Sequence, residues 1–262
     1  MLNPVAIPTC RDSDFMFKPT ILHFDSIDST NLEAMRRAKA GAPEGLCIVA
    51  REQTRGRGRL DRSWESPRDA GLYASLILRP KFAMNAWPLI TLVAALAVQD
   101  ALMKTIALRA DIKWPNDLCV NDRKLCGILA ETLETSLGPA AVLGIGINLR
   151  NTPNVPAEAT SVESETGRAP EVGSLLAALL KSVAEKYEFL DSAKGCEQVI
   201  REWCAHSSYS AGRRVRVSLG DENFEGTTRG LENDGALRVE TTGGRIRVVR
   251  AGDVTALRSM KG

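Results

Sequence analysis

The chain has 262 residues, 44% of them hydrophobic and 25% charged, and its 34 Lys and Arg against 32 Asp and Glu leave a formal net charge of +2. That composition excludes a disordered chain and gives no global basic field to recruit nucleic acid or an anionic membrane, so any affinity for phosphate has to be local. The six cysteines (Cys10, Cys47, Cys119, Cys126, Cys196 and Cys204) form no Cys-x-x-Cys pair and are accompanied only by His23 and His206, which argues against a zinc site and against a disulfide framework.

In chain order, residues 1–18 read as an N-terminal extension without an apolar core of signal-peptide length, so a reducing cytosol is the expected compartment. Thr20 to Phe24 reads as a short strand, and Thr30 with Glu33 three residues later fits a capping box, which predicts a helix from there to about Ala40, ahead of Gly41 and Pro43. A buried strand, Leu46 to Ala50, is followed by a polar loop from Glu52 to Asp69 rich in glycine and arginine, then by an apolar alternating strand, Leu72 to Leu78. Pro88 opens a long apolar helix to about Ile106. The apolar stretch around Trp87 to Val98 is interrupted by Gln99 and Asp100 before it is long enough to span a bilayer, so no membrane partner is expected. Three strands are predicted next: Asp111 to Trp114, Lys124 to Glu131 and Ala140 to Ile147. Leu149 to Gly173, with Pro153, Pro156, Gly167 and Pro170, reads as a long loop of the kind that forms lids. Two helices follow, Gly173 to Leu190 and Gly195 to about Ala205, the first with Leu175, Leu176, Leu179, Val183 and Tyr187 at core-facing spacing. Residues 19–210 therefore read as one mixed sheet-and-helix domain. From 211 to 262 the pattern changes to short alternating segments, Val215/Val217/Leu219, Leu237/Val239 and Ile246/Val248, punctuated by Asn233-Asp234-Gly235 and Gly243-Gly244 turns, which predicts a small β-barrel or meander.

Two segments carry chemistry. Arg51, Arg55, Arg57, Arg59 and Arg62 fall within twelve residues, interleaved with Gly56 and Gly58. Guanidinium groups bind carboxylate and phosphate bidentately, and glycines let the backbone approach a ligand. Alone, the run also fits a solvated basic loop or an Arg-Gly nucleic-acid segment, but its place between two apolar strands, with Trp64 at its end, argues against a free tail. Without an anion its arginines should repel one another and leave the loop unordered. The second segment, Lys113-Trp114-Pro115-Asn116-Asp117 leading to Arg123-Lys124-Leu125-Cys126-Gly127, is expected to bring two ammonium groups to the same edge of a hairpin. Asn116 and Asp117 would be placed there to position a metal-bound phosphate or a lysine nucleophile, although an ordinary charged hairpin has the same composition.

Taken with Ser29-Thr30-Asn31 and Gly144-Ile145-Gly146-Ile147-Asn148-Leu149, these motifs stand in the order and approximate spacing of biotin protein ligases, which the chain resembles from Thr20 to its end. The resemblance implies an α+β fold: a mixed sheet backed by helices like the catalytic domain of class II aminoacyl-tRNA synthetases, plus a small C-terminal SH3-like barrel. It implies ATP with Mg²⁺ and biotin as ligands, the metal carried by the nucleotide and not by protein side chains. The acceptor it implies is a lysine of a biotin carboxyl carrier protein or domain.

Residue by residue, the biotin pocket falls on Ser29, Thr30, Asn31, Gln53, Gly56, Arg57, Gly58, Arg59, Trp64, Lys124 and Gly127. The nucleotide falls on Arg59, Arg62, Trp64, Lys113, Asn116 and Asn148. Catalysis is assigned to Lys124, Arg59 and Asp117, with Lys124 beside the biotin carboxylate and Asp117 orienting the acceptor lysine. Ala159 to Val162 with Glu165 to Gly167 resembles the stretch that follows the loop ordering over the adenylate. Homodimerisation through a sheet edge is implied by resemblance alone. Many relatives carry a helix-turn-helix domain, and the eighteen residues ahead of the first strand are too few for one, so no specific DNA partner is expected. The rival activities are a lipoate or octanoate ligase or transferase on a similar scaffold, disfavoured by the polar Ser29, Thr30 and Gln53 set, and a non-enzymatic nucleic-acid module, disfavoured by the near-zero charge.

Overall fold

Alternating apolar side chains load two faces of a seven-stranded sheet in the computed structural model, which describes residues 19–153 and 156–257. The expected extension, 1–18, lies outside the described residues. In chain order the sheet strands are β1 (Thr20–Phe24), β2 (Leu46–Ala50), β3 (Gly71–Leu78), β4 (Asp111–Lys113), β5 (Asp117–Val120), β6 (Arg123–Leu133) and β7 (Ala140–Asn148). Their spatial order is β1-β2-β3-β7-β6-β5-β4, with β1 parallel to β2 and the rest antiparallel.

One face carries Cys47, Val49, Leu72, Ala74, Leu76, Leu78, Leu143, Ile145 and Ile147. It is covered by helix α2 (Leu89–Ile106), and behind that by α4 (Val172–Glu188) and α5 (Ala193–His206). Helix α2 is apolar on nearly every side, as a helix sandwiched between layers must be. By length and hydropathy alone it is also long enough to cross a bilayer, yet it is largely buried within the fold. It ends at Ala107, which takes a left-handed conformation with φ 55°. The opposite face carries Leu46, Ile48, Ile77 and Val142 under Ala34 and Ala38 of α1 (Thr30–Lys39).

Several expectations are revised. The capping box does not form: Ser29 holds the N-cap position without a side-chain cap, and Glu33 instead pairs with Arg36 and Arg37, each at 2.7 Å. Strand β5 intervenes between the predicted hairpin arms, so Lys113 lies on the edge strand, opposite Asp117, while Lys124 lies beyond β5 on β6, and the two ammonium groups do not share an edge. The predicted long loop contains a one-turn helix, α3 (Val162–Thr166), capped by the Ser161 hydroxyl, which accepts from Ser164 N at 3.1 Å. Just ahead of it, Lys124 N donates to Glu158 O and Thr160 N donates to Lys124 O at 2.9 Å, stitching the segment to β6.

The C-terminal part forms a second, antiparallel sheet of five strands: β8 (Ala211–Leu219), β9 (Glu222–Leu231), β10 (Leu237–Thr241), β11 (Ile246–Val249) and β12 (Asp253–Ala256), ordered β11-β10-β9-β8-β12. Among the described residues its two end strands, β11 and β12, do not pair, so the SH3-like sheet is not closed into a barrel there. Val215, Val217, Leu237, Val239, Val249 and Val254 join the same apolar core as α2 and the large sheet.

Candidate active site

Beyond the N-terminus of α1 the helix-facing rows of the sheet lose their bulk. Across β3, β7 and β6, Ile77, Val142 and Glu131 form one row, Ser75, Gly144 and Leu129 the next, and Tyr73, Gly146 and Gly127 the third. Three glycines in strand interiors remove side chains where something must lie against the backbone. A Cβ at Gly144 would overlap the Asn31 carboxamide, and one at Gly146 would stand 2.6 Å from the Trp64 indole nitrogen. The glycines thus open a pocket into which Asn31 and Trp64 settle.

The pocket is lined by Ser29, Thr30, Asn31, Gln53, Arg57, Gly58, Arg59, Arg62, Trp64, Asn116, Asp117, Lys124 and Gly127, all expected from the sequence. Gly56 lies just behind, where a Cβ would strike the Trp64 carbonyl. Ser63 and Asp253 line it as well, and neither was expected. Lys113 does not line it, nor does Asn148. Asn148 instead lines an adjoining cavity with Arg123, Arg150 and Thr160, and Ser63 and Trp64 form the wall common to both.

One side of the pocket is a continuous hydrogen-bond chain. The Thr30 backbone N–H and hydroxyl both donate to Gln53 Oε1 (2.8 and 3.0 Å), and Gln53 Nε2 donates to Ser66 Oγ at 2.7 Å. The fully buried Ser75 hydroxyl lies 2.8 Å from Thr30 Oγ1 and 2.6 Å from Asn31 Oδ1. Asn31 Nδ2 in turn donates to Glu131 at 3.0 Å. Such buried polar groups, each tied to the next, fix their own orientation and that of any ligand they meet.

The other side carries charge. Gly56 to Trp64 fold as a narrow hairpin, with Trp64 N donating to Gly56 O at 2.9 Å and Gly58 N donating to Arg62 O at 2.7 Å; at its tip Leu60 and Asp61 both take left-handed φ values near 55°. The expected repulsion among its arginines is offset by protein partners. Arg57 pairs with Glu131 at 3.0 Å, Arg59 donates to Asn116 Oδ1 at 3.0 Å and to the Gly252 carbonyl at 3.2 Å, and Arg62 pairs with Asp253. Lys124 Nζ stands 2.7 Å from Asp117 Oδ1 and 5.3 Å from the Trp64 ring centroid. That ion pair is close but not aligned as a hydrogen bond, since Asp117 Oδ1 has no hydrogen-bond partner, and neither has the buried Trp64 Nε1. Among the lining residues four cations face two acids, Asp117 and Asp253, and Glu131 behind Arg57 balances a third, so one positive charge is left over and an anion is favoured there. Among the described residues no group of three or more His, Cys, Asp or Glu is placed to hold a metal ion.

Ser75, Glu131 and Asp253 were not legible in the sequence. The available signals were a serine and a glutamate on the helix-facing side of otherwise apolar strands; for Asp253, whose partner Arg62 is 191 residues away, there was none.

Residues 23–148 match the biotin/lipoate A/B protein ligase family and residues 211–255 the biotin protein ligase C-terminal domain. The biotin–[acetyl-CoA-carboxylase] ligase of Mycobacterium tuberculosis is 35% identical over 237 residues, 88% of this chain and 86% of that protein. The bifunctional ligase/repressor BirA of Bacillus subtilis is 32% identical over 240 residues, 89% of this chain and 73% of that protein. The structure of the biotin protein ligase from Aquifex aeolicus in complex with biotin and ATP superposes with a TM-score of 0.77 at 30% identity, covering 93% of this chain and all of that one. The chain belongs to the biotin protein ligase family.

Proposed function

We infer that the glycine-floored pocket binds biotin, that the adjoining cavity beyond Trp64 takes the nucleotide, and that Lys124 stands where the two reactive ends meet. The protein is an ATP-dependent biotin protein ligase. The observation that carries the assignment is the convergence on one pocket of a neutral hydrogen-bonding wall (Ser29, Thr30, Asn31, Gln53) and a cationic one (Arg57, Arg59, Arg62, Lys124). The first suits a ureido ring, which needs paired donors and acceptors, and the second suits a carboxylate and phosphates.

In the first step a biotin carboxylate oxygen bonds to the α-phosphorus of ATP and pyrophosphate leaves, giving biotinyl-AMP. Lys124 and Arg59 stabilise the negative charge gathered on the carboxylate and phosphoryl oxygens. Asn148 holds the nucleoside in the adjoining cavity, and Arg62 and Asn116, on the pocket side of Trp64, hold its phosphates, with Mg²⁺ brought by the nucleotide. Lys113, also assigned to the phosphates by the resemblance, lies on the edge strand β4 and does not line the pocket. In the second step the amine of an acceptor lysine attacks the mixed anhydride and AMP leaves. Asp117, already 2.7 Å from one ammonium, is placed to orient another. The acceptor is a biotin carboxyl carrier protein or domain. A cytosolic setting accords with the free thiols of Cys47, Cys119, Cys126, Cys196 and Cys204.

ATP–pyrophosphate exchange tests the assignment. Exchange should depend on biotin and be absent with lipoate or octanoate in its place. Equal exchange with lipoate would transfer the site to the rival acyl substrate.

A further inference from the structure

Strand β6 presents Gly127, Leu129, Glu131 and Leu133 to the α1 side of the sheet. That face is apolar under the helix, with Ile77, Val142 and Leu133 packed together, and the Glu131 side chain sits in the same row with only 20% of its surface exposed. A carboxylate in such a row is costly unless its oxygens are satisfied. Here they are satisfied by two groups from opposite sides of the pocket. Glu131 Oε2 accepts from Asn31 Nδ2 at 3.0 Å and from Arg57 NH1 at 3.1 Å, while Oε1 lies 3.0 Å from Arg57 NH2. Asn31 is anchored to the sheet through Ser75, and Arg57 belongs to the hairpin that closes the pocket.

We propose that Glu131 is a positioning residue for biotin: its carboxylate ties the start of α1 to the arginine-glycine hairpin and so sets the width of the pocket between them. The proposal rests on the assignment of this pocket to biotin. Among the described residues Glu131 bonds to Asn31 and Arg57, whereas the Lys124 ammonium stands against Asp117 and Trp64, so the effect of Glu131 falls on substrate binding and not on the chemical step. Only an ionised carboxylate meets all three donor contacts with charge. A glutamine whose oxygen takes the Oε2 position keeps one acceptor for Asn31 and Arg57 NH1, but it turns an N–H₂ group on Arg57 NH2 and leaves that guanidinium without its counter-charge.

The test compares Glu131→Gln with wild type and with Glu134→Gln, the same charge change at an exposed position three residues on. Biotin-dependent pyrophosphate exchange by Glu131→Gln should show a KM for biotin raised about ten- to a hundredfold, as expected for losing hydrogen bonds to a charged partner, with kcat within about threefold and the KM for ATP unchanged. Without any ligand, the Gly58 and Trp64 amides that hold the hairpin should exchange about tenfold faster than in wild type. Glu134→Gln should match wild type in both. Should Glu131→Gln fail to fold, Glu131→Asp, which keeps the charge and both oxygens on a shorter stem, should give a smaller rise in the biotin KM. A folded Glu131→Gln with an unchanged biotin KM overturns the proposal, as does a loss confined to kcat. If wild type shows no biotin-dependent exchange, the pocket assignment fails, whereas the hairpin comparison still reports whether Glu131 holds the two walls together.

Discussion

Lys124 is held from three directions. Its backbone is stitched to the segment before α3, its ammonium stands against Asp117, and that ammonium lies over the Trp64 ring. Such a cation is preorganised: little reorganisation is needed when negative charge develops beside it. Lys124→Gln keeps a polar side chain and removes the charge, so the protein should fold with an unchanged melting temperature and lose adenylation. The expected loss is about 3–4 kcal/mol, roughly a hundred- to thousandfold in rate. Lys104→Gln, on the exposed side of α2, should leave the rate within about twofold, as surface changes generally do. Near-wild-type pyrophosphate exchange by a folded Lys124→Gln would return Lys124 to an ordinary place on a charged strand. At this scale the sequence motifs named most of the residues that the fold brings to one pocket, because each motif holds several residues a few positions apart. Lys113 is the exception within a motif: strand β5 carries it to the sheet edge, and nothing in the local pattern announces that strand.

Helix α1 delivers Ser29, Thr30 and Asn31 to the pocket, and Asp28 fixes where it starts. The Asp28 carboxylate accepts from Ser29 N at 2.7 Å and forms a two-bond pair with Arg36, which holds its pKa down to about 2 from an ordinary 3.8. A depressed carboxylate pKa contributes stability that is fully present above 3.8 and is lost as the pH falls through about 2. Because Arg36 is half-exposed, the pair is worth only about 1 kcal/mol after solvent screening. Asp28→Asn should therefore lower the unfolding free energy by about that much at pH 6. The difference from wild type should narrow between pH 4 and pH 2, measured by denaturant unfolding. A difference that does not vary with pH would place the effect in the backbone contact to Ser29 and not in the charge pair. Elements with strong periodicity, such as β3, α2 and α4, were legible because burial on one or both faces leaves an unbroken apolar signal. Strand β9 was not, since its buried positions are Gly226 and Thr228. Strands β5 and β12 have four residues each, too short to show alternation. The hairpin was read as an unordered loop because its counter-charges, Glu131 and Asp253, lie far along the chain.

The two sheets meet through continuous apolar contact and through specific polar bonds. Trp114 Nε1, buried, donates to the Gly235 carbonyl at 3.0 Å, Arg213 pairs with Asp122 at 2.6 Å, and Asp253 with the Gly252 carbonyl reaches the hairpin arginines. With Val215, Val239 and Val254 in the same core as α2, the C-terminal sheet is expected to unfold together with the large one. Calorimetry should show a single transition whose calorimetric and van't Hoff enthalpies agree, and two resolved transitions would mean that the sheets are independently stable. The contact also means that a residue of the C-terminal sheet completes the pocket, and on the proposed assignment nucleotide phosphates would compete with Asp253 for Arg62. The central property assigned to the pocket is the joining of biotin to AMP. The most direct measurement incubates the protein with biotin and ATP labelled in the α-phosphate, in the absence of any acceptor protein, and separates the bound products. Labelled biotinyl-AMP is expected, at about one per chain, formed only when biotin is present and discharged when a biotin carboxyl carrier domain is added. Labelled adenylate formed equally well with lipoate, or no adenylate at all from a folded protein, would contradict it.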